Sequence, residues 1–157
     1  MSLVMNHQDA QVQQLVQHCG YAAAALTLLP LPGSEIIGVM PLHVGMVVGI
    51  ANHHGQKLTS ESATELILQI GATVGVSLVG SRVATTAAKF VLPGVGGLIA
   101  APFMYASTVG IGAVADAYCR LGELSDAEMR DVYRAAKRDA KRAFDRGKMD
   151  ASAEPKT

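Results

Sequence analysis

The sequence predicts an all-α protein, a helical bundle of about five helices carrying a Gly/Ala-rich hydrophobic hairpin. Apolar residues recur at helical spacing, capping signals open several of the segments, and Pro/Gly breakers separate segments too long for ordinary strands. β-branched residues are plentiful in the central third, which makes strands the rival reading, but the length of the uninterrupted segments favours helices.

In the first segment, from Asp9 to Leu29, residues Val12, Leu15, Val16, Cys19, Ala22 and Ala23 fall on one helical face, and the pattern stops at Pro30-Leu31-Pro32-Gly33. Pro30, Pro32 and Gly33 are therefore assigned to a turn. Ser34 then stands as an N-cap with Glu35 in the first turn, and the second helix runs to Gly55 with a kink expected at Pro41. The third begins at Thr59 or at Ser62, the latter placed three residues before Glu65 as in a capping box, and is expected to continue to a turn at Pro93-Gly94. The fourth starts after that turn. Val95 to Ala115 contains no charged residue, and extended back to Phe90 the run reaches the roughly 20 residues that cross a bilayer. Helices three and four thus form the hairpin, 63–118. A last amphipathic basic helix, 125–147, opens with the capping box Ser125 to Glu128 and places Met129, Val132, Tyr133, Ala136, Ala140, Ala143 and Phe144 on one face.

The chain of 157 residues fits one helical domain, 1–148, followed by a disordered polar tail, 149–157. Half of the residues are hydrophobic and 17% are charged, against roughly a quarter in average soluble domains, which points to lipid or a large partner surface. Thirteen basic residues balance thirteen acidic ones and Trp is absent, which argues against nucleic acid as a partner. Cys19 and Cys119 lack the spacing of a zinc or redox motif and read as buried apolar residues in a reducing compartment. The N-terminus has no secretory pattern, so the domain is expected to face or sit in the cytoplasm.

Glycine costs about 1 kcal/mol per helix position relative to alanine, so a glycine-lined helix implies close backbone approach. Gly71, Gly75, Gly80, Gly96, Gly97 and Gly110 are the predicted helix-packing residues, and Pro93 and Gly94 the turn between the two arms. Arg134, Lys137, Arg138, Lys141 and Arg142 form the predicted lipid- or partner-facing basic face, diluted by Asp131, Asp139 and Asp145. Asp116 reads first as an exposed helix-end carboxylate, with pairing to a Lys or Arg as the alternative. His43, His53 and His54 are the nearest approach to an acid–base or metal cluster, but no HExxH pattern accompanies them and no orienting partner is visible. The glycine-rich stretch Leu92-Pro93-Gly94-Val95-Gly96-Gly97 lacks the Lys-Ser/Thr of a phosphate-binding loop, and no GxSxG occurs. No catalytic, cofactor-binding or metal residues are assigned, and the reading is non-enzymatic.

Pro30-Leu31-Pro32-Gly33-Ser34-Glu35-Ile36-Ile37, His43 to Ala51, Gly55, Leu92-Pro93-Gly94-Val95-Gly96 and Ala115-Asp116-Ala117-Tyr118, in that order, resemble the bacterial domain of unknown function 697. The likeness covers roughly Ala22 to Lys141. It implies a helical module that follows or works beside an Era-like GTPase, or occurs in YcjF-like inner-membrane proteins. The resemblance narrows the expected location to the cytoplasmic side of a bacterial inner membrane, with the cytoplasm as the alternative. No GTPase motif lies in this chain, so the resemblance implies a small GTPase met in trans, and it supplies no catalytic residues. The function expected is a membrane-associated helical adaptor or assembly protein, a homo-oligomer in contact with lipid; the alternative is a soluble helical interaction module that self-associates or docks a GTPase.

Overall fold

In the computed structural model, which describes residues 9–28, 34–75, 95–145 and 147–149, α1 (Ala10–Leu26), α2 (Ser34–His53), α3 (Ser60–Val74), α4 (Val95–Leu121) and α5 (Asp126–Ala143) follow in chain order. Among the described residues there is no strand, as the periodicity predicts.

Local chemistry explains most of the boundaries. The Asp9 carboxylate accepts the Gln11 N–H and opens α1, whose apolar face buries Val12, Val16, Cys19 and Ala23. Ser34, expected as a cap, is itself the first helical residue of α2. That helix passes through Pro41, which has no N–H for the Ile37 carbonyl. Both residues lie on the exposed face, where water can satisfy that carbonyl. Of the two candidate caps for α3, Thr59 is used: its hydroxyl accepts the Ser62 N–H at 3.1 Å.

Two expected helices end early. α3 stops at Val74, because Gly75 adopts φ +85° and gives its N–H to the Gly71 carbonyl, a C-terminal cap rather than a helix interior. The rest of the expected third helix, including Gly80, and the turn residues Pro30, Pro32, Gly33, Pro93 and Gly94 lie outside the described residues. α5 stops at Ala143, four residues short of Gly147. Phe144 is extended there (φ −62°, ψ 128°), and its ring packs 5.9 Å from Tyr21 and 5.5 Å from Tyr105. The Asp145 N–H donates to the Tyr21 hydroxyl at 3.3 Å, so a tertiary contact takes the place of the last helical turn.

α4 occupies the middle of the bundle, packed chiefly on α5 and α1 and then on α2. Between Ala100 and Cys119 every side chain is buried except Pro102, Phe103 and Tyr118. Gly112 lies where an added Cβ would come within 2.7 Å of Val16 in α1, and Gly110 within 2.7 Å of the Tyr133 ring in α5. The expected face-to-face contact of helices three and four needs correction over the described residues. α3 packs on α2 and α5 and only slightly on α4, so the small residues of α4 admit α1 and α5 instead. Among the described residues no helix is long and apolar enough to cross a membrane.

Candidate functional site

The C-terminal end of α2 is a polar junction. His54 Nε2 lies 2.7 Å from Asp116 Oδ1, and the other carboxylate oxygen accepts from Arg120 Nε at 2.9 Å, one helical turn away on α4. Asp116 is only 1% exposed, so the expected surface carboxylate is a buried one held by two partners. Next to it, Gln56 Nε2 donates to the Cys119 carbonyl at 2.7 Å, and His53 Nε2 lies 3.0 Å from Asp9, the residue that caps α1. One turn of chain, 53–56, thereby ties α2 to both α1 and α4. Farther up α2 the buried His43 meets the Thr108 hydroxyl at 2.8 Å.

The sequence offered no partner for these histidines, because the carboxylate that orients His54 lies 62 residues away. The resulting His–Asp pair links the end of α2 to α4. The nearby Cys119 thiol is pushed up by burial and by the Asp116 charge, the opposite of activation, and burial raises Cys19 to about 11. Among the described residues no three His, Cys, Asp or Glu side chains converge as a metal site would require.

A second cluster lies at the opposite end of the bundle. Leu26 of α1, Val39 and Leu42 of α2 and Met104 of α4 pack together there, and beside them Ile37 and Phe103 are exposed to 80% and 40%. The Lys137 and Lys141 ammonium groups stand 5.1 and 4.7 Å from the centre of the Phe103 ring, and Lys137 also approaches Tyr133 at 5.7 Å. Burial, with the neighbouring Lys141 charge, lowers the Lys137 pKa. A shallow cleft of about 270 Å³ runs between α1, α4 and α5, floored by Val16, Tyr105, Val109 and Ala140 and rimmed by Gln13, Gln17 and Asp139.

The predicted basic residues divide between two strips. Arg134, Lys137 and Lys141 share one with Arg130, whereas Arg138 turns aside to Asp139 at 3.3 Å and Arg142 sits on that second strip. The predicted packing glycines divide as well. Gly110 is a true contact point; Gly75 is a cap with open space around it; Gly71 lies in the last turn of α3; Gly96 and Gly97 belong to the first turn of α4. Gly112, Gly20, Gly38 and Gly49, none of them among the predicted packing residues, are contacts of the same kind as Gly110, each within 2.9 Å of a side chain once a Cβ is added. Phe103 was missed too, since a lone aromatic carries no periodic signal.

A bundle with a buried polar junction at one end and exposed apolar and cationic side chains at the other defines a helical packing module. The chain belongs to the family described as domain of unknown function (DUF697), whose model matches residues 1–142. No curated protein and no solved structure gives a match.

Proposed function

We propose that this protein is a non-enzymatic helical adaptor that associates with a membrane surface peripherally and assembles partners there. The observation that carries the reading is the end of the bundle at which Phe103 stands exposed beside Lys137 and Lys141, with Ile37 of α2 exposed at the same end. An apolar side chain flanked by cations suits the boundary between headgroups and acyl chains, where lysine stems lie along apolar surface and their charges stay wet. The enclosure of α4 favours docking over insertion, since its described apolar side chains already have protein partners. The histidines support a non-enzymatic role by joining helices: His54 to Asp116, His53 to Asp9 and His43 to Thr108.

The partner suggested by the family resemblance is a small GTPase met in trans, with a second copy of this chain as the other candidate. The same enclosure of α4 favours a second reading, a soluble interaction module that never meets lipid. High-speed centrifugation of detergent-free lysate separates the two. Sedimentation with membranes, reversed by salt or alkaline wash, is expected; a chain that stays in the supernatant overturns the membrane reading and leaves the soluble module.

A further inference from the structure

We infer that the Arg130-Arg134-Lys137-Lys141 strip of α5, together with Phe103, is a binding surface for anionic phospholipid headgroups. At 3.6 residues per turn these four side chains fall within about 60° of one another along three turns of helix. None of them takes part in an ion pair among the described residues, whereas Arg138 and Arg120 on neighbouring surfaces do. Of the acidic residues of α5, Glu128, Asp131 and Asp139 lie on other faces, and Asp126 borders the strip only at its N-terminal end, one turn before Arg130, so the three turns from Arg130 to Lys141 are cationic. Lys137 and Lys141 are held over the Phe103 ring in place of a carboxylate, and an anionic surface would supply the missing counter-charge. Charge complementarity fixes the sign of the ligand. The exposed phenyl ring, with Ile37 at the same end of the bundle, favours a bilayer over an acidic protein, because it gives the surface an apolar contact that a headgroup region accommodates.

This inference rests on the peripheral membrane reading and names its ligand class. The full chain is mixed with vesicles of phosphatidylcholine alone and with vesicles in which phosphatidylglycerol is the minority lipid, and sedimented at rising salt. Binding to the phosphatidylglycerol vesicles only, declining with salt, is expected. K137Q/K141Q weakens it roughly thirtyfold, at about fivefold per cationic side chain. F103S weakens it roughly tenfold, and that loss persists at high salt. R138Q, whose arginine is occupied by Asp139, changes binding least. Thermal melts confirm folding, and if K137Q/K141Q melts early the exposed pair R130Q/R134Q carries the same test. Equal binding to both vesicle types overturns this inference and leaves the membrane reading standing. So does failure to bind either vesicle by a chain that sediments with cell membranes, which would mean that a partner recruits it. Failure on vesicles combined with salt-reversible retention on immobilised polyglutamate also overturns the lipid assignment, in favour of an acidic protein. Failure on vesicles by a chain that remains in the cell supernatant sinks both readings.

Discussion

His54 and Asp116 meet at 2.7 Å although 62 residues of sequence separate them, and this contact joins the C-terminus of α2 to the central helix. Asp116 is almost fully buried and also holds Arg120, so removing either partner leaves polar groups without compensation. Replacing Asp116 by Ala should cost about 2–3 kcal/mol, and His54 by Ala about 1–2 kcal/mol because the Arg120 contact survives. Urea denaturation of the two single variants and the double variant gives the coupling. Strict additivity would show that the contact contributes nothing to stability.

Glycines on two helices should respond in opposite directions. Ala at position 112 would place its methyl 2.7–2.8 Å from both Val16 methyl groups, and Val16 is β-branched and 2% exposed, with little room to yield. Overpacking of this kind costs about 1–3 kcal/mol, more than the helix-propensity gain of about 1 kcal/mol. Gly45 faces open space on α2, so Gly45→Ala has only the gain, and its melting temperature should rise. Equal shifts in the two variants would remove the packing argument.

Much of the fold was legible because its signals are local. The Thr59 and Ser125 caps, the end of α2 just before Gly55 and the amphipathic face of α5 all sit within a few residues of what they determine. Features that depend on remote partners were not. Gly75 shares its small-xxx-small spacing with genuine packing pairs, and only its φ of +85° distinguishes a cap from a contact. Low charge in α4 is equally compatible with lipid and with burial by protein. The decision lies in Val16, Tyr133 and the other residues that enclose it, whose proximity no window of sequence contains. Asp116 was misjudged for the same reason: a lone carboxylate near a helix end is usually wet, and its two partners appear only once α2 is laid against α4.

The α5 capping box makes a contribution with a definite pH dependence. Glu128 accepts from the Ser125 N–H and hydroxyl, both at 2.8 Å, while the Ser125 hydroxyl accepts the Glu128 N–H. The Ser125 backbone N–H is the larger cause and its hydroxyl the next in holding the Glu128 carboxyl below the usual glutamate value of 4.5. A carboxyl depressed in the folded state adds stability that is present above its unfolded value and disappears as pH falls through the folded one. Urea midpoints of the wild type and Glu128→Gln should therefore differ at neutral pH and converge in acid. Ser125→Ala should cost about 1 kcal/mol at neutral pH. A constant gap between wild type and Glu128→Gln down to the acid limit would dissociate the ionised carboxylate from the cap.

The thiols offer a probe of how tightly the bundle is closed. Cys19 lies on the buried face of α1 with its pKa raised to about 11 by burial, and Cys119 is raised by burial and then by the Asp116 charge. Alkylation needs the thiolate, so at pH 7–8 both should resist iodoacetamide in the native protein and react readily in urea, where an ordinary thiol value near 8.5 returns. Because Cys119 sits one turn from Asp116 and its carbonyl is held by Gln56, opening the His54 junction should unmask it before Cys19. In His54→Ala under native conditions, mass spectrometry should find Cys119 labelled faster than in the wild type and Cys19 little changed. Parallel acceleration at both sites would instead indicate global unfolding, and the local role of the junction would have to be abandoned.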